Sequence, residues 1–170
     1  MRIRDKIKKP QRPVVAYEIL PPREKDGTLN SYAETISSLL SQTHIDAINI
    51  PEVLDEAGRG DRPIANYKRG EPREFGRLLQ DIVGIEAIVN RVVVHDDYDT
   101  QMRWLEETNL VYEIENMIIV GGESSNVKYP GPTVNQTLEA ISNTYNKKGK
   151  DIFCGGIAIP SRKEESKNLI

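Results

Sequence analysis

Among 170 residues there are only one cysteine, two histidines and one tryptophan. A lone Cys154 cannot close an intrachain disulfide, which fits a reducing cytoplasm, and its apolar surroundings read as those of a small core residue. His44 and His95 lie too far apart for a zinc motif, so no metal site is expected even where His95 meets Asp96 and Asp97. A basic excess is missing too. Lys and Arg number 23 against 26 Asp and Glu, for a net charge of −3, which argues against a general nucleic-acid binder. No apolar run is long enough to span a bilayer, so no membrane partner is expected. The N-terminus is charged where a secretory leader would be apolar. The expected location is cytoplasmic.

What is present is ordinary globular composition, 38% hydrophobic and 29% charged, in a chain of one-domain length. Residues 1–170 show no internal boundary, repeat or low-complexity tract. The one basic cluster, Arg2, Arg4, Lys6, Lys8, Lys9 and Arg12, reads as a solvated lead-in to the first strand, with contact to an anionic ligand as the alternative.

Short apolar runs alternate with amphipathic stretches. Val14 to Leu20 reads as a strand stopped by Pro21-Pro22, because proline lacks an amide donor and restricts its predecessor. Leu29, Tyr32, Ala33, Ile36, Leu39 and Leu40 recur at helical spacing, with Thr28 or Asn30 as the cap. Further strands are expected over Ile45–Ile50, Ile85–Val94, Asn116–Val120 and Asp151–Ile159. Helices are expected between them, marked by Phe75 to Val83, by Asp99 to Leu110 and by Val134 to Tyr145, and a last helix begins after Pro160. Five strands separated by helices predict a parallel sheet. The pattern leaves open whether it is doubly wound or part of a barrel.

In either architecture ligands bind at the carboxyl ends of the strands. Those ends carry Glu18, Asn49, His95-Asp96-Asp97 and Gly121-Gly122-Glu123-Ser124-Ser125. Glu18 interrupts an apolar strand. Facing inward, it would be desolvated and its carboxyl pushed up toward the range of a general acid. Facing outward, or pairing with Arg23, it would be structural. The glycine pair permits close backbone approach but matches no phosphate loop. No Gly-x-Ser-x-Gly elbow marks a hydrolase.

Tyr17-Glu18-Ile19-Leu20-Pro21-Pro22-Arg23 resembles the first-strand signature of methylenetetrahydrofolate reductases. Asp46–Ile50, Val92–Asp96, Asn116–Glu123, Tyr129-Pro130-Gly131-Pro132 and Ala158-Ile159-Pro160 resemble later segments of that family, in the same order. The resemblance implies a parallel (β/α)8 barrel of the TIM type. It implies FAD at the carboxyl-end rim, NAD(P)H as electron donor, and reduction of 5,10-methylenetetrahydrofolate or a related pterin to the methyl form. By position it implies Glu18 as the catalytic acid and Asn49, Arg91, Glu123 and Tyr129 as cofactor-binding residues. Glu123 replaces an aspartate, and Gly121 stands where many members carry arginine.

A closed barrel takes eight strands and about 250 residues. Only five strands are counted here, so a partial barrel is expected. It would be completed by a partner chain or would be a fragment, and a homo-oligomer is the other expected assembly. That count carries the alternative function: a non-catalytic folate- or pterin-binding subunit.

Overall fold

The computed structural model describes residues 2–54, 69–122, 128–149 and 152–157. Five strands, β1 (Ala16–Glu18), β2 (Ala47–Ile50), β3 (Ala87–Val92), β4 (Asn116–Val120) and β5 (Phe153–Gly156), form one sheet in the order β1-β2-β3-β4-β5. Every neighbouring pair is parallel. A doubly wound sheet reverses its strand order at a switch point, and this one does not. The sequential order therefore decides the question that the pattern left open. The chain folds as five parallel β/α units, consistent with part of a parallel α/β barrel.

Because side chains alternate along a strand, the register sorts them onto two faces. Ile48, Ile50, Ala87, Val89, Met117 and Ile119 share the face covered by helices, and all are essentially inaccessible. Glu18, Asn49, Ile88, Asn90, Ile118 and Val120 share the other, interior face, where burial is only partial or, at Glu18, lost. β1 and β5 are the sheet's edges among the described residues. Val15 and Tyr17 are about half exposed at the β1 edge.

The helices start where their caps dictate. α2 (Leu29–Leu40) is capped by the Thr28 side chain, which accepts from the Ser31 amide. α3 (Pro72–Val83) begins with proline at its first position and ends at Gly84, whose φ of 72° is left-handed. Asp97 caps α4 (Tyr98–Leu110), accepting from the Thr100 amide at 2.8 Å. Thr133 and Gln136 form a reciprocal capping box on α5 (Val134–Ala140). α5 continues as a π-helical turn over Ile141–Tyr145. Gly76 lets α3 lie close on the sheet, since a Cβ there would stand 3.1 Å from both Ile50 and Ile114.

The N-terminal segment corrects one expectation. The basic cluster is more than a solvated lead-in: Arg2, Lys8, Lys9 and Arg12 are exposed, but residues Ile3–Lys8 form a further helix, α1, with Ile3 buried. The Ile3 amide donates to Glu86, Arg2 and Arg4 reach Glu115, and Lys6 reaches Asp46. Those acids precede β2, β3 and β4, so α1 lies across the amino ends of the strands.

Candidate functional site

The interior face at the carboxyl ends begins with Glu18. It stands opposite Asn49 in the β1–β2 register, and its Oε2 accepts a 2.9 Å hydrogen bond from Asn49 Nδ2. Glu18 is exposed, as is all of β1. The burial that was expected to raise its carboxyl is therefore absent in this chain. Its side chain nevertheless points to the interior face, the same face as Asn49. Arg23 is engaged elsewhere, by Asp26. The backbone around the pair is tied down: the Ile19 amide donates to the Asn49 carbonyl, and the Gly70 amide to the Pro22 carbonyl. Arg69 also donates to the Pro21 carbonyl, at 2.8 Å.

Asn49 has a second polar end. Its Oδ1 is buried and has no hydrogen-bond partner. Among the described residues one other buried side-chain atom shares that condition, Asn90 Oδ1 on β3. Asn90 lies two residues beyond Ile88, the residue paired with Asn49, and so on the same face. Sequence reading missed Asn90. The available signal was its parity: it alternates with Val89 and Arg91, and the apolar Val89 belongs to the helix-covered side.

That parity moves Arg91 away from the site. The resemblance placed Arg91 beside a cofactor, yet its side chain lies on the helix-covered face and is about 10% exposed. Its guanidinium meets Glu52 at 2.5 Å, Asp96 at 2.6 Å and Gln101 at 2.9 Å, and it stacks over the Trp104 ring. Burial pushes the Glu52 carboxyl up, opposed by the charge of Arg91 and by the Val92 amide it accepts from. The cluster ties the segment after β2 to β3 and α4, which is a structural task.

Tyr129 sits at the carboxyl ends of β3 and β4. Its ring packs edge-on against His95, with centroids 5.3 Å apart, and directly over Gly122, where a Cβ would collide with it. Asp96 and Asp97 of the same strand end are explained by Arg91 and by the α4 cap. Glu123 lies outside the described residues. Of the five site residues, the structure thus joins Glu18 and Asn49, sets Tyr129 at the same rim, and puts Arg91 on the opposite face. One of the implied contacts faces the helices and is consumed by ion pairs, and another is packed on its own loop.

At the amino-terminal rim lies a cavity of about 390 Å³ lined by Lys6, Lys9, Arg12 and Asp46. Asp46 takes up much of its charge. Its carboxylate accepts from Arg12 at 2.7 and 2.9 Å, from Lys6 at 2.9 Å and from the Val15 amide at 3.0 Å. These partners, Arg12 foremost, hold the carboxyl well below the usual range. The cavity belongs to the docking of α1. His44 is exposed near this rim. Burial pushes the Cys154 thiol up, as for a packed rather than a reactive cysteine. Among the described residues no three His, Cys, Asp or Glu side chains converge on a metal-sized space, and no helix is long and apolar enough to cross a membrane.

No family model and no curated protein matches the chain. Among solved structures it is similar to a Clostridium thermocellum protein described as uncharacterized and as binding two copies of 5-methyl-5,6,7,8-tetrahydrofolic acid. The TM-score is 0.63 at 17% identity, over 98% of this chain and 51% of that one. The chain thus spans about half the length of that protein. At this identity the likeness establishes the shared fold.

Proposed function

We propose that the chain binds a reduced folate or related pterin on its interior face, at the carboxyl ends of β1 to β3, as a binding unit rather than a free-standing reductase. The observation that carries this reading is the Glu18–Asn49 pair. A carboxylate is held against an amide whose oxygen is buried without a donor. A reduced pterin ring is planar and rich in N–H groups, the complement of such acceptors. The similar solved structure binds a methylated tetrahydrofolate, which supports the ligand class.

Reduction would also need FAD and a nicotinamide donor, and Arg91, one of the residues implied for the flavin, is taken up by Glu52 and Asp96. The partly exposed interior face and the two sheet edges are where further β/α units, of a partner chain or a second copy, would dock to complete a barrel. The test is calorimetric titration of the full chain with 5-methyl-5,6,7,8-tetrahydrofolate. Saturable binding by colourless protein is expected. Absence of binding at millimolar ligand would remove the pterin reading, and protein that purified yellow would restore the reductase.

A further inference from the structure

We propose that Asn90 is a specificity residue: with Asn49 it forms a pair of amide acceptors that reads the N–H edge of the bound ring. Glu18 acts as the positioning residue that sets Asn49 the right way round. The inference rests on the pterin reading and adds the atoms that would make the choice.

Three observations converge. First, the two buried side-chain atoms that lack a partner among the described residues are both amide oxygens on the same sheet face. They sit on adjacent strands, two residues apart in register. Buried acceptors without donors are unfavourable in the free protein, and two so placed have a common use once a ligand supplies donors. Second, the amide of Asn49 cannot simply reverse. An ionised Glu18 accepts only, so it selects Nδ2 on its own side and leaves Oδ1 for the other. Third, the register row of Asn90 leads to open space at the β5 edge. Its register partner is Ile118, whose own partner on β5 is Gly155, and a Cβ built there meets nothing within 4 Å. The row Asn90–Ile118–Gly155 therefore runs from a buried acceptor on β3 to open space over a glycine on β5. The proposal requires each amide to turn slightly, so that an oxygen covered in the free protein meets a ligand donor.

Two acceptors on neighbouring strands suit an edge with two adjacent donors. A ring lactam N–H beside an exocyclic amino group, as in a pterin, is such an edge. An analogue in which a methyl replaces that amino group keeps the shape and loses one donor.

The decisive variant is Asn90→Leu, close in shape and without polar atoms. Its melting temperature without ligand is expected to equal or exceed that of the wild type, because an unsatisfied buried acceptor has been removed. Its affinity for 5-methyl-5,6,7,8-tetrahydrofolate is expected to fall about tenfold, the equivalent of one hydrogen bond. Asn90→Asp keeps the acceptor and should retain binding. The 2-desamino-2-methyl analogue should bind the wild type more weakly than the parent folate and bind Asn90→Leu with no further loss. Wild-type protein that binds no folate overturns this inference together with the pterin reading. Wild-type protein that binds while Asn90→Leu binds equally well overturns the Asn90 role alone. A lower melting temperature of Asn90→Leu would also overturn it, because a merely structural asparagine behaves that way.

Discussion

Glu18 and Asn49 face each other across the first two strands, 2.9 Å apart between carboxylate oxygen and amide nitrogen. Because Glu18 is exposed, its removal should hardly disturb folding. Glu18→Gln and Glu18→Ala are each expected to change stability by less than about 0.5 kcal/mol. Both release the Asn49 amide from its fixed orientation. Pterin affinity should fall severalfold, by about 0.5–1.5 kcal/mol. Thermal melts and calorimetry of the same samples check the two halves separately, and unchanged affinity would detach Glu18 from the site.

Gly131 closes the rim at a point where no side chain fits. A Cβ there would lie 2.3 Å from the Asp96 carbonyl oxygen and 2.5 Å from that of Val93. Both are backbone atoms and cannot swing aside. The Gly131 amide donates to the Val94 carbonyl at 2.9 Å, so the contact docks the Tyr129–Pro132 turn onto the end of β3. Gly131→Ala should cost about 3 kcal/mol or more, at the upper end for overpacking. It should also loosen the Tyr129–His95 contact. Denaturant unfolding measures the first effect, and tyrosine fluorescence at the rim the second.

Arg91 serves as a test of face. Were it a ligand contact, Arg91→Ala would weaken binding and leave the fold alone. Its partners Glu52 and Asp96 and its stacking on Trp104 say otherwise. Removing it strands Glu52 in a buried site, at an expected cost of about 3–5 kcal/mol. The double variant Glu52→Gln with Arg91→Leu removes both charges and should recover a good part of that loss. Equilibrium unfolding of the single and double variants checks the coupling.

Much of the fold was legible because strand and helix differ in period. β4 was read to the residue, over Asn116–Val120, since apolar side chains there occupy both faces. The strand read as Val14–Leu20 narrows to Ala16–Glu18, because at an edge only the residues paired with β2 keep a ladder. α1 was missed because six residues rich in Lys and Arg carry little apolar periodicity. What docks them is Ile3 and acids far along the chain, at positions 46, 86 and 115. At the site, Glu18 and Asn49 stood out as polar residues at strand ends. Arg91 misled because a one-residue step along a strand exchanges the two faces. Asn90 could be placed on the interior face by parity, but its orphaned oxygen is a property of packing, which no spacing reveals.

Asp46 makes the docking of α1 depend on pH. Its folded carboxyl is depressed below the ordinary value of 3.8, first by the Arg12 hydrogen bond and then by the Val15 amide and Lys6. A depressed acid binds fewer protons folded than unfolded. Its stabilising contribution is therefore full above the unfolded value and lost as the pH falls below about 3.8 toward the folded one. Asp46→Asn removes that dependence. The variant should melt below the wild type near neutral pH, and the gap should narrow steadily as both are taken from about pH 5 to about pH 2. Other acids titrate in both proteins, so the difference between the two melting curves isolates Asp46. A gap of constant size across that range would mean that Asp46 holds α1 by its shape and hydrogen-bond count rather than by its charge.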